Sequence, residues 1–178
     1  GDTIRIFGYD LKLYLVDLNV GVLYLMAVTS ISVYGITLAG WSSNNKYATL
    51  GGLRSTAQMI SYEIAMGFCF IVPVLLSGSM SLIDIVRAQK DWWFFLLNPA
   101  AGFIFFISML AETNRAPFDM PEAEQELTAG YHTEYSGMKF ALFFMAEYIK
   151  MIAVSMIFAT LFLGGYQLPF QGVLESAL

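Results

Sequence analysis

One cysteine, Cys69, and one histidine, His132, are all the thiol and imidazole ligands that 178 residues contain. An iron–sulfur cluster takes about four thiolates and a structural zinc about four ligands, so this chain alone builds neither. A disulfide within the chain is excluded, and Cys69, set in an apolar run, reads as a small buried residue. Charge is scarce too: 13% of residues are Asp, Glu, Lys or Arg, against roughly a quarter in soluble domains. The sequence opens at Gly1 without a basic segment ahead of an apolar one, so no signal peptide is expected, and both ends read as cut. Period-2 alternation is missing from the apolar runs, which excludes barrel strands. Gly51-Gly52 lacks the Lys-Ser/Thr ending of a phosphate loop and reads as a turn. No internal repeat is present, and no nucleic-acid partner is expected.

What the chain does have is apolar surface: 57% hydrophobic and 16% aromatic residues. A soluble protein of this size cannot hide so much, so the bilayer is its solvent. Four stretches are long enough to cross ~30 Å of hydrocarbon as helices, which takes about 20 residues each. They run at about 18–40, 57–77, 92–111 and 140–163. The fold expected is therefore all-α, a polytopic transmembrane helix bundle with four spans in one membrane domain over 1–178. Pro73 and Pro99 fall inside the second and third spans and are expected to kink them. Trp41, Trp92 and Trp93 stand at span ends, where an interfacial aromatic belt would sit. Helices that hairpin back and forth put loop one (41–56) and loop three (113–139) on one side and loop two (78–91) on the other. Basic residues are balanced, with Lys46, Arg54, Arg115 and Lys139 on one side and Arg5, Lys12, Arg87 and Lys90 on the other. Charge counting therefore leaves the orientation open.

The net charge of −5 conceals an uneven distribution. Five acids lie between Asp119 and Glu134, and three more, Glu63, Glu112 and Glu147, sit in or at the edge of spans two, three and four. A carboxylate at mid-membrane costs ~2.5–3.5 kcal/mol on insertion scales, so such residues persist when they pair or transport something. Span positions put all three in the leaflet beneath loops one and three, Glu63 and Glu147 about two turns in and Glu112 at a span end. Each has a bland reading. Glu147 and Lys150, three apart on one helical face, would neutralise each other, and Glu112 would be wetted by headgroups. Three acids in one leaflet favour a proton or ion path.

Loop three is the second informative stretch. Asp119 suits a helix cap with Glu122 reaching back to it, Pro121 in the first turn and Gly130 at the end. Glu122 and Glu126 then share a face and repel unless something basic or protonatable faces them. Phe118, Leu127 and Tyr131 are interleaved with the acids, which suits a surface covered by a partner or lining a pocket.

The run Ala111–Gly165, AETNRAPFDMPEAEQELTAGYHTEYSGMKFALFFMAEYIKMIAVSMIFATLFLGG, resembles the signature region of one family of respiratory complex I proteins. That family is the quinone-site membrane subunit of NADH-quinone oxidoreductase, the counterpart of mitochondrial subunit 1. The run Gly40–Glu63, GWSSNNKYATLGGLRSTAQMISYE, resembles the family's other signature. With the connecting segments the likeness covers essentially the whole chain, and no departure occurs within these motifs. Family members are about twice as long, with eight spans in the usual bacterial form, so the chain would be their middle. The resemblance implies a subunit of a proton-translocating NADH:quinone oxidoreductase that carries no metal, flavin or iron–sulfur cluster itself. It matches Glu63, Glu112 and Glu147 to carboxylates on a path from quinone reduction to proton pumping. It matches Arg115, Asp119, Glu122, Glu124, Glu126 and Glu134 to the charged loop beside the quinone chamber, and Arg54 to the arginine of the loop-one signature. It implies loops one and three on the cytoplasmic side of a bacterial inner membrane, in preference to a mitochondrial one. Quinone would be the substrate, and the partners the other membrane subunits and the quinone-proximal subunits of the peripheral arm. Two alternatives stand beside it: the related membrane subunit of an energy-converting hydrogenase, and a proton or ion transporter subunit.

Overall fold

The computed structural model describes residues 3–6, 9–12, 16–118 and 134–167. A two-stranded antiparallel hairpin, β1 (Thr3–Ile6) and β2 (Tyr9–Lys12), precedes the helices, with Thr3 opposite Lys12 and Ile6 opposite Tyr9. The hairpin is absent from the all-helical expectation. From there the chain is helical, as expected: α1 (Gly21–Ser42), α2 (Lys46–Ser77), α3 (Leu82–Ala88), α4 (Phe94–Leu97), α5 (Pro99–Glu112) and α6 (Met138–Phe162). The helices α1, α2 and α6 are long and apolar enough to cross a membrane, and α5 is a shorter apolar helix. Large apolar side chains such as Phe68, Leu75 and Met156 stay exposed along them. An apolar girdle of that kind suits lipid and not water.

Loop one is corrected. The connection shrinks to Ser43–Asn45, and α2 begins eleven residues before the expected start, at Lys46. Asn45 caps it, its side chain accepting the Tyr47 N–H at 3.0 Å. Gly51 and Gly52 therefore make no turn; both lie inside α2 and are buried. Gly52 works in packing: a Cβ on Gly40 of α1 would come within 2.9 Å of the Ala48 carbonyl and 3.2 Å of Gly52 Cα. The two backbones touch where neither has a side chain. At its far end α2 stops at Gly78, whose φ of 72° closes a left-handed cap onto Val74.

Span three is corrected as well. The helix is interrupted at Asn98, which ends α4 and caps α5 by accepting from the Ala101 N–H at 3.2 Å. Pro99 occupies the first turn, where its missing N–H has no partner to lose, so it starts a helix and kinks none. Pro73, by contrast, does lie within α2, buried. Loop two contains α3, joined to the segment before α1 by Ser81 Oγ donating to Asp17 at 2.7 Å.

The core lies between α2, α5 and α6. Phe105 stacks on Phe158 at 5.7 Å and meets Phe70 edge-on at 5.3 Å. Below it, the fully buried Gln89 fastens three elements: its amide nitrogen donates to the Ile85 and Thr160 carbonyls, and its oxygen accepts from the Phe94 and Gly164 N–H groups.

Candidate functional site

The end of α5 is where the acids meet. Asn114 takes a positive φ of 50°, and the Arg115 N–H returns to the Leu110 carbonyl at 3.1 Å. This left-handed cap turns the chain sharply after Glu112. With only 14 residues, α5 is about 21 Å long at 1.5 Å per residue. Glu112 is 1% exposed, so it is a buried carboxylate and not one wetted by headgroups.

Its partner comes from α6. Lys150 Nζ lies 2.8 Å from Glu112 Oε1 and donates to Ser32 Oγ of α1 at 3.3 Å. Lys150 stands twelve residues after Met138, about 18 Å along α6. The expected neutralisation of Glu147 by Lys150 on their own helix is not what forms. Glu147 instead pairs with Arg115 at 3.2 Å, and the Arg115 guanidinium also lies over the Tyr148 ring at 5.4 Å. The i,i+3 spacing permits the local pair, but each α6 residue finds a partner on another element that sits against it in space.

Because α2 begins at Lys46, Glu63 falls near the middle of a 32-residue helix. There Ser30 Oγ of α1 donates to Glu63 Oε1. Glu63 and Glu112 are close enough for their charges to interact. The three glutamates, Lys150 and Arg115 thus form one cluster drawn from α2, α5, the turn after it and α6, with α1 supplying two hydroxyls. A cavity of about 500 Å³ opens beside it, lined by Ser32, Glu112, Asn114, Glu147 and Lys150 among mostly apolar neighbours. Two acceptor oxygens at its wall, Glu112 Oε2 and Asn114 Oδ1, are buried without a hydrogen-bond partner among the described residues.

A second cavity of about 500 Å³ lies between α2 and the segment after α5, lined by Arg54, Gln58, Tyr62, Pro117 and Phe118. Gln58 holds that segment in place, its amide nitrogen donating to the Ala111 and Phe118 carbonyls at 3.0 and 2.8 Å. Tyr62 meets the Phe118 ring edge-on at 5.0 Å. Glu134 is placed apart from the cluster, accepting from the Asn45 amide at 2.9 Å, while Tyr135 donates to the Ala39 carbonyl. Residues 134–135 and the α1–α2 turn therefore share one end of the bundle. Asp119, Glu122, Glu124, Glu126 and the short helix expected around them lie outside the described residues.

Sequence reasoning missed Ser30, Ser32 and Gln58. Their signal was present but small: hydroxyls and an amide inside runs that otherwise read as apolar, and a hydroxyl can also satisfy itself on its own helix.

The sequence matches the NADH dehydrogenase family over residues 4–178. It is 57% identical over 169 residues to the H subunit of NADH-quinone oxidoreductase from Protochlamydia amoebophila, covering 95% of this chain and 52% of that one. Against NADH-quinone oxidoreductase subunit 8 of Rhodothermus marinus it is 58% identical over 166 residues, 90% of this chain and 49% of the relative. The H subunit from Rickettsia bellii is 59% identical over 159 residues, 88% and 47% respectively. The chain spans about half the length of the curated relatives it matches.

Proposed function

The chain belongs to the NADH dehydrogenase family, and from that premise we propose that it is part of the membrane subunit of a proton-translocating NADH:quinone oxidoreductase. In this reading it forms part of the quinone-chamber wall and carries the carboxylates that link quinone reduction to proton movement. Its partners are the other membrane subunits and the quinone-proximal subunits of the peripheral arm. Its place is a bacterial inner membrane, with the α1–α2 turn and residues 113–139 on the cytoplasmic side.

The observation that carries the reading is the pairing of acids with two bases across separate helices, in apolar surroundings, beside a cavity. Ionisable groups at that depth are costly, and those that persist are mostly functional. Quinone reduction adds electrons next to these groups and consumes protons. A cluster whose members are held by one another responds to added negative charge by changing partners or binding a proton. The second cavity, with Arg54, Gln58 and Tyr62 against Phe118, fits the chamber side of that arrangement, and the acids Asp119, Glu122, Glu124, Glu126 and Glu134 belong to the loop that follows. The chain itself transfers no hydride and holds no flavin or cluster in this scheme.

The test is substitution of Glu63, Glu112 or Glu147 by Gln in the full-length subunit of the assembled complex. Glu63→Gln and Glu147→Gln are expected to insert and assemble, since Gln keeps the shape and removes a charge; Glu112→Gln leaves Lys150 without its carboxylate, so its turnover is measured per assembled complex. Quinone reduction coupled to proton movement should fall to about a hundredth or less, the scale of losing a positioned proton-transfer group. Normal coupled turnover in all three variants would exclude the proposal.

A further inference from the structure

We infer that Lys150 has two alternative carboxylate partners, Glu112 and Glu147, and that Arg115 decides between them. The inference rests on the proton-path reading above and gives that path a moving part. Glu147 and Lys150 are i,i+3 neighbours on α6, close enough to pair. In the structure they do not pair, because Arg115 takes Glu147 at 3.2 Å while Lys150 reaches across to Glu112 at 2.8 Å.

The two pairs are not equally firm. The Arg115 side chain is 40% exposed and that of Glu147 20%, against 21% for Lys150 and 2% for Glu112. An ion pair that open to its surroundings is the weaker and the first to part. Arg115 also sits on the segment that follows α5, held there through Gln58 on the Phe118 carbonyl. A displacement of that segment draws Arg115 away from Glu147. The Glu147 carboxylate then faces the ammonium three residues on, and Lys150 turns from Glu112 to it.

Glu112 is left buried, with Oε2 already lacking a partner among the described residues. A carboxylate so placed does not stay charged alone; it binds a proton from the adjoining cavity. One proton is taken up at Glu112, and no other bond forms or breaks. Return of Arg115 to Glu147 sends Lys150 back to Glu112 and expels the proton. Among the described residues, the ionisable groups facing this exchange are Glu63 from α2, Glu112 from α5, Arg115 from the following turn, and Glu147 and Lys150 from α6, with the hydroxyls of Ser30 and Ser32 from α1.

The experiment uses a hydrophobic carbodiimide, which adds to protonated carboxyls in apolar surroundings, followed by peptide mass spectrometry to locate the adduct. It is carried out on the assembled complex with Arg115→Met and, in parallel, Arg115→Lys. The expected result is that Arg115→Met raises labelling at Glu112 several-fold over the unmodified complex while Glu147 stays unlabelled. Arg115→Lys, which keeps the charge, should restore the original pattern, so a folding defect cannot mimic the result. Increased labelling at Glu147 in place of Glu112 would overturn the inference, showing that Lys150 keeps its partner. Unchanged labelling at both would overturn it too. Neither result depends on turnover, so a loss of the proton-path reading is recognised separately, in the coupled assay of the Gln variants.

Discussion

Glu112 and Lys150 are the residues on which a purely structural account and a proton-path account part company. Removing the ammonium alone, by Lys150→Met, strands a carboxylate that is 1% exposed. Breaking one side of a buried pair costs about 3–5 kcal/mol, so that variant is expected to assemble poorly in membranes, as native gel electrophoresis would report. Glu112→Gln with Lys150→Met removes both charges together and should recover assembly. If the pair is only structural, the double variant recovers coupled turnover as well; if Glu112 carries protons, it assembles and stays impaired. The observed pairing matters for the choice of variants. Combining Lys150→Met with Glu147→Gln looks like a matched change from the sequence, yet it still strands Glu112. The i,i+3 spacing was legible; that each side chain reaches another element was not, because sequence spacing says nothing about what lies across a helix.

Among the elements, the α1–α2 crossing is the most exacting. Gly40→Ala puts a methyl group within 2.9 Å of a backbone carbonyl that cannot step aside without moving α2. Overpacking of this kind costs about 1–3 kcal/mol, and α2 carries Glu63. Gly35→Ala on the same helix meets nothing within 4 Å and is expected to be neutral. Thermal unfolding of the two variants in detergent, followed by circular dichroism, distinguishes them: a lowered midpoint for Gly40→Ala alone. The long apolar runs announced α1, α2 and α6, because hydropathy is a property of the run itself. The boundaries were less legible for identifiable reasons. Gly51-Gly52 reads as a turn in water but as a close helix contact in a membrane bundle. Pro99 reads as a kink until Asn98 is seen to cap a new helix. Gln89 gave no warning at all, since a single amide in a short polar connection looks like an ordinary surface residue until its four partners are assembled around it.

At the scale of the molecule, the short α5 between long neighbours is what creates the site. It recesses Glu112 against Lys150, brings Arg115 onto Glu147, and leaves room beside them for a cavity. The glutamates were picked out from the sequence because charge in an apolar run is conspicuous, and the motifs around them carried the family resemblance. Their grouping into one cluster required the fold. That grouping makes a claim about function that single substitutions do not reach: the three carboxylates act as one unit. Groups acting in series or as a unit lose little more when all are removed than when one is, whereas independent groups lose their effects multiplicatively. The decisive measurement is therefore the rate of proton movement coupled to quinone reduction in the assembled complex carrying Glu63→Gln, Glu112→Gln and Glu147→Gln together, beside the three single variants. Carboxylates acting as one unit predict a triple variant about as impaired as the worst single one. A triple variant impaired by the product of the three separate losses would contradict that claim.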